Sequence, residues 1–152
     1  MRAVVQRLGK AEVEVNGNVV GRTRPDRPGL LVLLGVGQGD AESDVDYMTQ
    51  KIAGLRIFPD EDGKMNRSIV DVKGSVLVVS QFTLYGDCRK GRRPSFVASK
   101  EPVEAERLVR LFCARLEEHV EEVQEGIFGA DMQVHLTNDG PVTLLIDSEK
   151  TF

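Results

Sequence analysis

A chain of 152 residues fits one domain and can bury about 70% of the surface its unfolded form exposes, so it needs no disulfide or metal staple. Its composition, 41% hydrophobic and 29% charged with no tryptophan, is that of an ordinary globular protein. The net charge of −4 argues against a protein that grips nucleic acid through a global basic field. Cys88 and Cys113 stand far apart without a CxxC, which argues against a zinc or dithiol centre and suits a reducing cytoplasm. MRAVVQRLGK lacks an apolar run fit for a signal peptide, and no segment approaches the roughly 20 residues of a membrane span. The expectation is a soluble, cytoplasmic protein.

Along the chain, Arg2–Arg7 reads as a strand, and the alternation of Glu12–Val15 reads as another. Asn16-Gly17 supplies a type I′ hairpin signal before Val19-Val20. Arg22–Gly29 holds Pro25 and Pro28 and reads as a surface loop; Leu30–Val36 is a continuous apolar run, expected to be a strand buried on both faces. Over Asp40–Leu55 the period changes. Val45, Met48, Ile52 and Leu55 recur at helical spacing, with Asp40 or Ser43 as the expected cap. Asp60–Gly63 is a turn, and Val76–Thr83 is a second buried strand.

Pro102–Val120 is the second helix, with Pro102 in its first turn and Val103, Leu108, Leu111, Phe112 and Leu116 expected on one buried face. Asp131–Thr137 alternates, and Val142–Ile146 follows Asn138-Asp139-Gly140-Pro141, so the pair reads as a closing β-hairpin. These elements predict a single α/β (α+β) domain. Its architecture is a barrel-like β-roll, mostly antiparallel, with two main helices packed outside.

Three segments could carry chemistry. Ser80-Gln81-Phe82-Thr83 ends a buried strand, where a rigid element displays polar groups beside a loop; by pattern alone it reads first as a strand running out into a polar loop. Asn138-Asp139-Gly140-Pro141 is either a plain turn or a rigid unit presenting main-chain atoms to a ligand, since glycine admits close approach and proline removes freedom. Arg89, Lys90, Arg92 and Arg93, four cations within five residues, are either a solvated loop or a contact for phosphates. A hydroxyl nucleophile needs a base, and only His119 and His135 are present. His119 follows Glu117-Glu118 near a helix end, and His135 alternates off the Met132/Val134/Leu136 face, so neither announces a triad. Asp60-Glu61-Asp62 lacks EF-hand spacing and reads as a polar turn. No cofactor or metal is indicated.

Taken in order, SQFTLYGD, KGRRPSF at Lys90–Phe96, FGADMQV at Phe128–Val134 and NDGPVTL at Asn138–Leu144 resemble the D-aminoacyl-tRNA deacylase family. MRAVVQR and KIAGLRIFPDEDGKMN extend the resemblance over essentially the whole chain. Leu8-Gly9-Lys10 and a slightly longer loop at Arg24–Pro28 depart from the family pattern without touching its site residues.

The resemblance implies hydrolysis of the ester joining a D-amino acid to the 3′-terminal adenosine of tRNA, a proofreading step in translation. It also implies action on glycyl-tRNA, including glycine mischarged on tRNA-Ala. It implies a homodimer with active sites at the subunit interface, where Gly140-Pro141, with a cis peptide bond, reaches the partner's pocket opposite Ser80, Gln81, Phe82 and Thr83. Arg7 corresponds to the family's arginine beside this Gly-Pro unit, and Phe128, Ala130 and Met132 to its adenosine pocket. Two accounts of the chemical step accompany the resemblance: Thr83 as nucleophile, or the ribose 2′-hydroxyl assisting water. The absence of an evident base for Thr83 favours the second. Against these stand a binding module without catalysis and a general esterase pairing Ser80 or Thr83 with His135.

Overall fold

The computed structural model describes residues 1–151. Strand β1 (Arg2–Val15) runs unbroken through both segments expected as separate strands. Leu8 and Ala11 are buried between them, so apolar contacts continue across the exposed Gly9-Lys10 step. Asn16 and Gly17, with φ of 51° and 76°, then make the expected reversal into β2 (Asn18–Arg22).

β3 (Gly29–Gly35) lies between antiparallel β1 and parallel β6 (Ser75–Ser80), and its side chains are buried on both faces. The alternation divides two cores. Leu30, Val32, Leu34, Val76 and Val78 face the helices, while Leu31, Leu77 and Val79 join Leu8 and Val13 inside the curled sheet. This is why a strand with no polar alternation is stable here: neither face meets water.

α1 (Glu42–Ala53) and α2 (Pro102–Glu117) pack on the outer core through Val45, Met48 and Ile52 of the first and Leu108, Phe112 and Leu116 of the second. Val103, expected on that buried face, is 77% exposed; Ala105 and Val109 fill the positions that face the sheet. Glu101 caps α2 by accepting from the Val103 and Glu104 N–H groups at 3.1 and 2.7 Å. Neither Asp40 nor Ser43 caps α1. The N-cap is Ala41, whose N–H donates back to the Asp44 carboxylate at 3.0 Å. Asp40 is drawn instead to the buried N-terminal ammonium of Met1, 2.5 Å away, since a buried charge requires a partner more than a helix end requires a cap.

The short hairpin β4 (Phe58–Pro59) and β5 (Met65–Arg67) is closed by the expected turn, with Asp60 accepting from the Asp62 and Lys64 N–H groups. β7 (Glu122–Glu125) adds parallel to β6. The last strand corrects the expected closing hairpin. Most of Asp131–Thr137, from Gln133 onward, and all of Val142–Ile146 lie in one continuous strand, β8 (Gln133–Asp147), antiparallel to β1 along nearly its whole length. Gln6 pairs with Thr143 and Leu8 with Asn138, so three surplus residues leave the ladder as an excursion and the chain resumes its original direction.

The main sheet runs β2-β1-β3-β6-β7, with β8 on the other edge of β1, and β2 curls back onto β7. The result is the expected single barrel-like domain with two outer helices, in which the sheet is mixed: antiparallel around β1, parallel around β6.

Candidate active site

β6 delivers Ser80 to the sheet end, where Gln81 N–H still bonds the Leu34 carbonyl at 2.8 Å. The strand then stops earlier than expected, and Phe82–Tyr85 forms a 3₁₀ turn. Polar and buried groups hold that turn from several sides. Ser99 Oγ donates to the Phe82 carbonyl at 3.0 Å, and Arg2 Nη1 donates to the Leu84 carbonyl at 3.2 Å. Buried Tyr85 donates its hydroxyl to Asp40 at 3.2 Å, and the Arg2 guanidinium sits 4.6 Å from its ring centre. Burial, then the charge of Asp40, pushes the Tyr85 phenol well above its ordinary range.

A cavity of about 530 Å³ opens against this turn. Ser80, Gln81 and Phe82 line it together with Phe128, Ala130 and Met132, so two segments nearly fifty residues apart meet in a single space. Leu34, Val36 and Val79 of the sheet and Ala105 and Val109 of α2 add apolar lining. The lining is mostly apolar with polar groups concentrated at Ser80, Gln81, Ser99, Lys100 and Asp131, an arrangement suited to a small organic group held by a few directed bonds. Ser99 and Lys100 escaped sequence reasoning. Their only signal is position, one turn before a helix that reads as purely structural.

Thr83 is exposed, lies outside the cavity lining, and its hydroxyl accepts from the Gln81 amide. His135 belongs to a separate cleft with Lys10, Glu12 and Arg22, and its Nε2 is 3.7 Å from Glu14. His119 is exposed beyond the end of α2. Neither histidine lines the cavity, so a hydroxyl–histidine esterase loses its base. Among the described residues, no cluster of His, Cys, Asp and Glu could hold a metal ion, and no helix is long and apolar enough to cross a membrane.

The β8 excursion stands apart from this cavity. Gly140 and Pro141 are exposed, their peptide bond is cis, and Gly140 has φ +124°. Arg7 Nε donates to the Asp139 carbonyl at 3.2 Å and pairs with its carboxylate at 3.0 Å, while Nη1 reaches the Ile57 carbonyl at 2.7 Å. Asn138 spans the base of the excursion, accepting from Val142 N–H and donating to Thr143 Oγ1.

A sequence profile described as D-Tyr-tRNA(Tyr) deacylase matches residues 4–147. The chain belongs to that family. A D-aminoacyl-tRNA deacylase of Desulfitobacterium hafniense is 58% identical over 152 residues, the full length of both chains. One from Thermus aquaticus is 57% identical over 150 residues, covering 99% of this chain and 97% of that one. A solved structure named c-Myc DNA unwinding element binding protein superposes with a TM-score of 0.90 at 39% identity, covering 97% of this chain and 98% of that one. Family membership makes the chain an enzyme, a hydrolase that deacylates D-aminoacyl-tRNA.

In this deacylase the basic segment forms an exposed loop whose ends are pinned where Asp87 and Ser95 exchange backbone hydrogen bonds. Arg89 is committed to Asp87 by a forked pair at 2.7 and 2.8 Å, which holds that carboxylate far below its usual range. Lys90, Arg92 and Arg93 make no ion pair among the described residues. Cys88 is exposed within the same loop.

Proposed function

We propose that the enzyme proofreads chirality at the tRNA 3′ end: it hydrolyses D-aminoacyl esters, spares L-aminoacyl esters, and accepts the achiral glycyl ester, including glycine mischarged on tRNA-Ala. The cavity shared by Ser80, Gln81 and Phe82 with Phe128, Ala130 and Met132 carries this reading. Phe128, Ala130 and Met132 take the terminal adenosine. Ser80, Gln81 and Phe82, with nearby main-chain donors, position the ester and stabilise its oxyanion. Thr83 holds the Gln81 amide, and its lack of a base supports a water attack assisted by the ribose 2′-hydroxyl.

Handedness must be read without reading the side chain, because many D-amino acids share the substrate class. Main-chain atoms fixed in space serve this purpose by crowding the place an L side chain would take. Gly140-Pro141, braced through Asp139 by Arg7, is the unit proposed for that task. Its exposure, outside the cavity of its own chain, supports presentation to the cavity of a second subunit in a homodimer. Lys90, Arg92 and Arg93, alongside Arg89, meet phosphates of the acceptor end.

Deacylation of matched D-Tyr-tRNA and L-Tyr-tRNA tests the proposal. Release from the D ester alone is expected; equal rates on both would overturn the chirality reading. Sedimentation in the same buffer reports the expected dimeric mass.

A further inference from the structure

The chemistry above leaves two aromatic ring faces beside the cavity unused, those of Phe82 and Phe96. Phe82 is 58% exposed and Phe96 is 37% exposed, and their ring centres lie 5.0 Å apart at an interplanar angle of 70°. Phe82 lines the cavity, and Phe96, outside that lining, packs against Phe82. The Phe96 ring sits against bare backbone at Gly86, where an added Cβ would lie 2.9 Å from Phe96 Cε1. Immediately before Phe96, the exchange of bonds between Asp87 and Ser95 at 2.7 and 3.0 Å closes the loop that projects Lys90, Arg92 and Arg93. Phe82 thus links the cavity to Phe96, and Phe96 adjoins a loop whose Lys90, Arg92 and Arg93 make no ion pair among the described residues, on a protein of net charge −4.

Exposed aromatic faces beside unpaired cations match single-stranded nucleic acid, whose bases stack on rings while its phosphates meet the charges. Duplex RNA offers no unstacked base for such a shelf. The occupant that fits is a single-stranded 3′ end whose last nucleoside is already inside the cavity.

We propose that Phe96, backed by Phe82, is the stacking platform for the nucleotide immediately 5′ of the terminal adenosine, with Lys90, Arg92 and Arg93 neutralising the phosphates beyond it. This inference rests on the deacylase reading of the cavity and adds a subsite outside it. The platform is indifferent to base identity, because every base has a face, so it supplies affinity and register without restricting the tRNA served. It also explains why a protein with acidic net charge can engage tRNA: the attraction is confined to one loop beside one shelf.

The test compares kcat/KM on two esters of the same D-amino acid, one on full-length tRNA and one on adenosine alone. Phe96→Leu keeps an apolar side chain against Phe82 and Gly86 but removes the aromatic face. It is expected to lose about ten- to a hundredfold on the tRNA ester, the worth of one stacked base. The loss on the adenosine ester should be at least tenfold smaller, and Phe96→Trp should restore the tRNA rate. Equal losses on both esters would overturn the platform and make the ring a brace for the cavity wall. Equal losses with a changed sedimentation coefficient would overturn it in favour of a protein contact. Full activity of Phe96→Leu on both would make the ring a bystander. A wild-type enzyme that cleaves neither ester is a separate result: the deacylase reading itself fails, and the platform falls with it.

Discussion

The two regions proposed to handle the substrate are held in opposite ways. The turn Phe82–Tyr85 is anchored inward, through Leu34, Arg2, Ser99 and the buried Tyr85–Asp40 pair, so its donors have nowhere to relax. The Asp139–Val142 excursion is anchored only at its base, by Arg7 and Asn138, and turns its Gly-Pro unit outward. On the proposed function, the difference separates chemistry from inspection. Groups that stabilise a developing charge gain from a rigid, partly dry wall, whereas a unit that inspects another subunit's ligand must protrude.

Gly140→Ala attacks the second region most directly. Gly140 has φ +124°, and a Cβ there would lie 2.8 Å from Val142 Cγ2 and 3.0 Å from Arg7 Nη2. The excursion shifts while the sheet stays intact, and a misplacement of about 1 Å is worth about a hundredfold in kcat/KM. Steady-state kinetics on D-Tyr-tRNA should show that loss with the melting temperature nearly unchanged; a normal rate would remove the excursion from the mechanism.

Tyr85→Phe attacks the first region, and its expected signature is stability. Losing the bond to Asp40 costs about 1–2 kcal/mol, read from urea midpoints at neutral pH. Folded Tyr85 keeps a proton that the unfolded chain releases above its ordinary value of 10.0, so its contribution is full below that pH and is lost as pH rises. Stability of the wild type should fall between pH 10 and the onset of alkaline unfolding, and Tyr85→Phe should flatten that slope. An identical slope in the variant would remove Tyr85 as the group responsible.

Thr83→Ala sharpens the comparison by asking whether the wall contains a nucleophile. Turnover within about tenfold of wild type is expected, against the roughly million-fold loss that follows removal of a true nucleophile. A tRNA ending in 2′-deoxyadenosine should be the poorer substrate by far. The smallest effect is expected from Arg92→Gln with Arg93→Gln, which should reduce the slope of log K for tRNA binding against log salt concentration by about 0.7–0.9 per cation. An unchanged slope would make the loop a solvated one.

Much of this architecture was legible in the residues. Continuous apolar runs marked β3 and β6, helical spacing marked α1 and α2, and Asn16-Gly17 marked its turn. What was missed follows from partners distant in sequence. β7, Glu-Val-Gln-Glu, has no strand pattern of its own and exists because β6 offers an unpaired edge. Two short alternating segments around Gly140-Pro141 look like a hairpin, and only the length of β1 reveals that both pair with it. The cap of α1 failed because Asp40 had a stronger claim on it from the N-terminal ammonium. At the site, the resemblance named the two segments, but pattern alone could not bring Phe128, Ala130 and Met132 to Ser80, Gln81 and Phe82.

Because β8 is one strand, Val134 in the cavity lining and the residues that flank the Gly140-Pro141 excursion, Asn138 and Thr143, share a single hydrogen-bonded ladder with β1. A slip of one residue in that ladder would turn every β8 side chain to the other face. The same slip would carry the excursion off the arm of Arg7. The long pairing therefore works as a ruler: it fixes, in one measurement, where Val134 meets the cavity and where the outward projection leaves the sheet.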